Sequence, residues 1–199
     1  MTRHRPSRLT FLCLLLLSMV TVSWVGCSST SYPRLTAPSD AYLDALASTE
    51  PLEVTPDNEQ AALQRLMDLF RNFHVEYLRE NTKHVYADTF FFRDGFKELH
   101  QIDELEAYMV HSAEPVRHCT FEFATPIKSG HDYFLQWTME LSLKRDDDDR
   151  MDRAIGMSHI RFNREGKVVF HQDYWDPTDI LYRRIPIANR LIGYVRSKL

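Results

Sequence analysis

A strict two-residue alternation in the middle of this 199-residue chain does most to limit its fold. Tyr133, Leu135, Trp137, Met139, Leu141 and Leu143 are large and apolar, and mostly polar residues stand between them. Successive side chains of a strand point to opposite faces, so the pattern predicts a long strand with one buried face. Such a strand needs partners beside it and a layer over its apolar face. Partner strands are predicted at 116–126, 154–162 and 167–175, with a polar hairpin at 145–150, a turn at 163–166 and a stop at Pro177. The covering layer lies upstream. Leu63, Leu66, Met67, Phe70, Phe73, His74, Tyr77 and Leu78 recur at helical spacing, predicting one helix over 57–80 with Asp57 as N-cap and Gln60 three residues on. A short helical or irregular passage at 83–88, a strand at 89–93, an Asp94-Gly95 turn and a helix over 102–113 stopped by Pro115 complete the order. The class is α+β: a curved antiparallel sheet packed on helices, a shape that encloses a conical pocket.

Composition agrees with a real core: 44% apolar, 12% aromatic and 26% charged residues exclude a wholly disordered chain and a multi-span membrane protein. A formal net charge of −4 gives no electrostatic case for nucleic-acid binding. The N-terminus has a separate character. Arg3, Arg5 and Arg8 precede an uncharged apolar stretch at 9–25, and Gly26, Cys27, Ser28 and Ser29 follow. This order matches a bacterial secretory signal. The Gly26-Cys27 junction resembles a lipoprotein signal, which implies lipidation of Cys27; Ser28 resembles the residue of lipoproteins sent to the outer membrane. Trp24 departs from the aliphatic residue usual at that point. An uncleaved anchor or ordinary secretion are the alternatives. The expected organisation is signal 1–26, tether 27–56 with a short helix near residues 40–47, domain 57–180 and a basic amphipathic tail 181–199. The expected location is the bacterial envelope, facing the periplasm from the outer membrane.

Of three cysteines, Cys13 lies in the signal and Cys27 is the lipid candidate, so Cys119 is left without a disulfide partner. Its strand-like surroundings predict a buried thiol rather than a nucleophile.

Within the domain, Tyr86-Ala87-Asp88, then Asp94 after five residues, resembles the first-strand motif of the SnoaL-like and ketosteroid-isomerase-like proteins of the nuclear transport factor 2-like superfamily. Ile160-Arg161-Phe162-Asn163, Gly166-Lys167-Val168-Val169 and Tyr174-Trp175 resemble that family's last hairpin. The resemblance covers roughly residues 58–180. It implies a cone-shaped α+β barrel with one apolar cavity, often dimeric, used by isomerases, dehydratases, cyclases, epoxide hydrolases and non-catalytic binders. It places Asp94 where steroid isomerases keep a general base and Trp175 at an aromatic pocket wall. It places Phe70 and Ser158 where those enzymes keep two oxyanion donors. Phe70 cannot donate and Ser158 is a weak substitute, which argues against a steroid-isomerase mechanism.

The most suggestive chemistry is in 171–176. His171, Asp173 and Trp175 share one strand face, so all three line the pocket if one does. A His beside a carboxylate can serve as an acid/base pair, hold a polar ligand group, or be a satisfied structural pair. His74 and Tyr77, on the apolar stripe of the first helix, are candidates for the opposite wall, with a satisfied core histidine as the plainer reading of His74. Asp94 is a second candidate carboxylate or simply a turn residue. The nine histidines show no metal-ligand spacing, and the four aspartates at 146–149 lack the glycine and distant glutamate of a calcium loop. No cofactor is expected; neither a phosphate loop nor a nucleophile elbow occurs. The tail carries Arg183, Arg184, Arg190, Arg196 and Lys198 beside an apolar stripe, and either packs over the pocket or lies on a membrane.

Three functions follow as expectations: a lipid-anchored binder of a small apolar or amphipathic molecule, a cofactor-free lyase, isomerase or hydrolase using His171, Asp173 and Asp94, or a structural envelope protein whose cavity is filled by its own aromatics.

Overall fold

Local backbone chemistry divides the first predicted helix in two. In the computed structural model, which describes residues 38–49, 54–147 and 150–199, helix α2 runs Pro56–Arg71 and helix α3 runs Val75–Val85. Proline at the first turn forgoes an N–H that has no intrahelical partner there, so α2 starts at Pro56 with Thr55 as N-cap, two residues before the expected cap Asp57. Asn72 ends it: its backbone N–H and its side-chain Nδ2 both donate to the Asp68 carbonyl. His74 is extended (φ −140°, ψ 154°) and caps α3, its Nδ1 accepting from the Tyr77 N–H at 3.4 Å. The passage at 83–88 is shared: helix α3 takes its first half, as the helical alternative had it, and strand β1, Tyr86–Arg93, takes the second half without a loop.

The remaining elements are β2 Glu98–Gln101, α4 Ile102–Ala113, β3 Val116–Phe123, β4 Ile127–Ser129, β5 Asp132–Leu143, β6 Asp152–Phe162 and β7 Val168–Trp175. The described strands form one seven-stranded sheet ordered β2-β1-β7-β6-β5-β3, with β4 paired to β5. All pairs are antiparallel except β1 with β7. This is the expected α+β class, with a curved sheet packed on helices. Gly166 takes φ +75° in the β6–β7 turn, a conformation open to glycine at little cost.

The inner sheet face carries the predicted alternating residues. Leu66, Leu69, Leu78 and Leu105 from the helices pack on Tyr133, Leu135, Ile160 and Phe162 from the sheet, all fully or nearly fully buried. A second cluster at the other end joins Leu141, Leu143 and Ala154 to Ile180.

The outer face is covered as well. The short helix expected inside the tether is α1, Pro38–Ser48, and it docks on the sheet. Tyr42 hydrogen-bonds His159 Nδ1 at 3.1 Å and meets Phe170 edge-on. Arg161 fastens the helix end: Nη1 donates to the Leu46 carbonyl at 2.8 Å and the Thr49 carbonyl at 3.2 Å, and Nε donates to Asp132 at 2.6 Å. His159 Nε2 also reaches Asp132, at 2.7 Å. Burial alone would raise the Asp132 carboxyl, but Arg161 and His159 together hold it below the usual carboxylate range. Residues 39–199 form one compact unit. The predicted signal at 1–26, Cys27 and the tether up to residue 37 lie outside the described residues.

Replacing Arg161 by Met should free α1 and strand Asp132. Removing one member of a part-buried pair costs about 2 kcal/mol. Denaturant unfolding measures that loss, and hydrogen exchange should rise in 38–48 while the β5–β6 ladder keeps its protection.

Candidate functional site

The curved sheet and the helices leave a cavity of about 530 Å³ between them. Leu66 and Phe70 from α2 and Phe73 just past its end form one wall, Tyr108, Met109 and Ser112 from α4 another, and the inner faces of β3, β5, β6 and β7 most of the rest. The lining is mostly aliphatic and aromatic, so it favours an apolar occupant over water.

One group of polar side chains in that lining is set in place by strand register. Ser158 on β6 pairs directly with Asp173 on β7, and Phe92 on β1 pairs with His171. The resulting hydrogen-bonded chain has five members. Trp137 Nε1 donates to Ser158 Oγ at 3.0 Å, and Ser158 Oγ donates to Asp173 Oδ1 at 2.5 Å. His171 Nε2 meets the same Oδ1 at 2.8 Å, and its Nδ1 lies 2.6 Å from the Tyr86 hydroxyl. With Asp173 ionised, the carboxylate only accepts, so the ring proton belongs on Nε2 and Nδ1 accepts from Tyr86. Tyr86 is fully buried. Burial, then the charges of Asp173 and Asp94, push its phenol well above the usual range, so it stays a donor. His171 is 1% exposed with both nitrogens engaged. Both donors to Asp173 end on Oδ1; Oδ2 has no hydrogen bond among the described residues. The group free to meet a bound molecule is therefore the carboxylate, and His171 is held behind it as a positioning residue.

Asp94 also lines the cavity. Its Oδ1 accepts from the backbone N–H groups of Phe96 and Lys97 at 2.7 and 2.8 Å, so the turn reading holds. Its Oδ2 accepts from the Tyr108 hydroxyl at 2.5 Å. Burial first, and Asp94 second, raise the Tyr108 phenol far above the usual range. Cys119 lines the wall as a half-buried thiol that burial pushes up to about 12, so it stays protonated and is no nucleophile at neutral pH.

The chain beyond β7 closes one end. Ile180 is buried and, with Leu181, lines the cavity. Arg184 anchors this segment, bonding Asp146 at 2.5 Å through Nη1 and pairing with Asp152 through Nη2. Arg184, then the Leu143 N–H, bring the Asp146 carboxyl down to about 2. The packing expectation for the tail holds up to this point. The final helix, α5 (Pro186–Arg196), has no buried residue.

The structure thus brings together Asp94, His171, Asp173, Ser158, Trp175 and Phe70 around one cavity. Phe70 stands edge-on to the His171 ring at 5.8 Å. It does not bring His74 or Tyr77 there. The helix break at 72–74 ends the stripe that was read as continuous, leaving His74 an exposed N-cap near Glu76 and packing Tyr77 against the core away from the lining. The proposed self-filling is incomplete: Phe92, Trp137 and Trp175 line the cavity, and Phe90 and Phe91 do not. Sequence reasoning missed Tyr86 and Tyr108. Tyr108 had a signal, since Leu105, Tyr108, Met109 and Ser112 make one helical stripe. Tyr86 had none, because the irregular register between Tyr86 and Phe91 breaks the two-residue period that would have placed it.

A family model described as SnoaL-like domain matches residues 63–171. No curated protein matches the chain. Among solved structures, an NTF2-like protein of unknown function from Burkholderia pseudomallei is 17% identical with a TM-score of 0.52, over 62% of this chain and 95% of that one. A putative SnoaL-like polyketide cyclase from Jannaschia sp. is 12% identical with a TM-score of 0.52, over 64% and 96%. An LEH-like epoxide hydrolase from M. tuberculosis is 12% identical with a TM-score of 0.51, over 64% and 85%. These likenesses show a shared fold.

One contact in the site leaves no room for change. Gly156 faces Trp137 across the β5–β6 ladder, and a Cβ there would lie 2.2 Å from the indole. Gly156→Ala should push Trp137 off Ser158 and cost about 1–3 kcal/mol through overpacking. A drop in thermal midpoint with altered tryptophan fluorescence checks both parts.

Proposed function

The chain belongs to the SnoaL-like domain family, and from that premise we propose that it binds a small apolar or amphipathic molecule in its cavity, with the polar end of that molecule at Asp173. One observation carries the reading. The cavity of about 530 Å³ is lined mainly by apolar side chains, and on its wall the Asp173 carboxylate, held by Ser158 and His171 through one oxygen, keeps the other without a hydrogen bond among the described residues. That volume lies within the roughly 300–1,000 Å³ of small-molecule sites, where apolar walls supply affinity and a few polar groups set orientation.

The free Oδ2 of Asp173 favours a second reading, cofactor-free proton transfer. The carboxylate would take or give the proton, and Ser158, His171 and Tyr86 would hold it in place and stabilise its charge. This narrows the expected His–Asp pair to one reacting group. It fits the apolar walls, since a proton held among them exchanges slowly with water.

The measurement is mass spectrometry of the purified protein, native and then denatured to release what is bound. Binding predicts a stoichiometric molecule with an apolar body. Asp173→Asn should weaken its hold roughly tenfold, the loss of one hydrogen bond to a charged group. Proton transfer predicts in addition that a candidate substrate is converted, that Asp173→Asn stops conversion, and that His171→Gln shifts the pH–rate profile while leaving some rate. An empty protein that also ignores a fluorescent apolar probe overturns both.

The location follows from the sequence pattern at 1–27: the domain is held at the bacterial envelope by lipid on Cys27. Cells fed radiolabelled palmitate should label this protein, and Cys27→Ser should abolish the label. Labelling that survives the substitution refutes the anchor.

A further inference from the structure

Beyond residue 27, net positive charge is confined to the C-terminal end. Residues 28–179 hold 16 basic and 28 acidic side chains, a net of −12, whereas residues 180–199 hold five basic side chains and no acidic one. The same end holds the four most exposed large apolar side chains among the described residues, Leu199, Ile187, Tyr194 and Leu191. On α5, Ala188 and Ile192 are the half-buried positions, facing the domain, and Arg196 bonds Asp176 at 2.6 Å on that side. The adjoining face carries Ile187, Leu191, Tyr194 and Val195, exposed by 81%, 62%, 63% and 49%. Their spacing is one apolar stripe of an amphipathic helix, and here it points outward. Arg190 borders the stripe and Lys198 lies over the Tyr194 ring; neither makes an ion pair among the described residues.

We propose that α5 docks on an anionic lipid surface, stripe inward, with Arg190 and Lys198 at the headgroups. Charge selects this occupant. A helix with an apolar stripe and basic flanks gains from both acyl chains and anionic headgroups, and lies in the interface plane rather than crossing. Eleven residues span about 16 Å, half of a hydrocarbon core, which agrees with that orientation. The stripe also leads to the cavity. Ile185 and Tyr182 continue the exposed apolar surface, Tyr182 meets Phe96 edge-on, and Phe96 and Leu181 line the cavity. Docking would set the end of the cavity that this segment closes against the lipid; that consequence rests on the binding reading above, and the docking itself does not.

The test is hydrogen exchange on the full chain reconstituted in phosphatidylcholine vesicles, alone or mixed equally with phosphatidylglycerol. Exchange in 186–196 should slow roughly tenfold in the mixture and stay fast in phosphatidylcholine alone. The double variant Ile187→Ser and Leu191→Ser, at exposed positions that leave the core intact, should remove the protection; Arg190→Gln with Lys198→Gln should reduce it and its salt sensitivity. Unchanged exchange in the mixture overturns the proposal, as does equal protection in both lipids. Protection that grows with protein concentration without vesicles would mean the face belongs to a second copy of the chain, and also overturns it. None of these outcomes reads the cavity, so failure here leaves the ligand measurement standing.

Discussion

Strands β5, β6 and β7 must pair in one register for this protein to have a site. That register places Trp137 opposite Gly156, Gly156 opposite Trp175 and Ser158 opposite Asp173. A slip of one residue would turn Ser158 and Asp173 outward and bring Arg161 and His159 into the apolar interior. Two independent locks resist it. On the inner face the Trp137 indole packs against Gly156, in space that a Cβ there would take. On the outer face Asp132 joins Arg161 and His159, which ties β5 to β6 and both to helix α1.

Given that register, the polar chain in the cavity wall is forced to be complete. Each buried polar group that lacks a partner costs about 1–3 kcal/mol. Trp137, Ser158, Asp173, His171 and Tyr86 each satisfy the next, and the carboxylate keeps one oxygen, Asp173 Oδ2, without a hydrogen bond among the described residues. A histidine next to an aspartate on a strand suggests shared chemistry, but with both its nitrogens engaged His171 can only orient the carboxylate and stabilise its charge. The aromatic contacts around its ring, from Phe70, Phe92 and Tyr86, hold that orientation.

Both chain ends of the described unit extend the fold rather than hang from it. Helix α1 covers part of the outer sheet face through Arg161, and the segment after β7 closes the cavity through Ile180 and the Arg184 ion pairs. Arginine suits both places. Its planar fork can serve two carbonyls and a carboxylate at once, or two carboxylates, where a lysine would serve them less well. Beyond Arg184 that holding stops, and α5 shows an apolar stripe to the outside.

The sequence by itself determined the class of fold, the long strand, and the facts that His171, Asp173 and Trp175 share a face and that the helix over 102–113 ends before Pro115. These follow from a period of two along a strand and from proline's missing N–H, which act locally and are legible in any window of ten residues. It also determined that Phe70 lies on a buried stripe. The tertiary structure alone decided what the stripe's far end does: Asn72 and His74 cap where a continuous helix was expected, because side-chain hydrogen bonds to the backbone outweigh a weak periodic signal over three residues. It alone brought Tyr86 to His171, 85 positions away in the chain, and Tyr108 to Asp94. Register between distant strands, the depth of a cavity and the partner of a buried polar group all depend on pairs remote in sequence. Periodicity says which face a residue takes, and only the packed chain says what waits for it there.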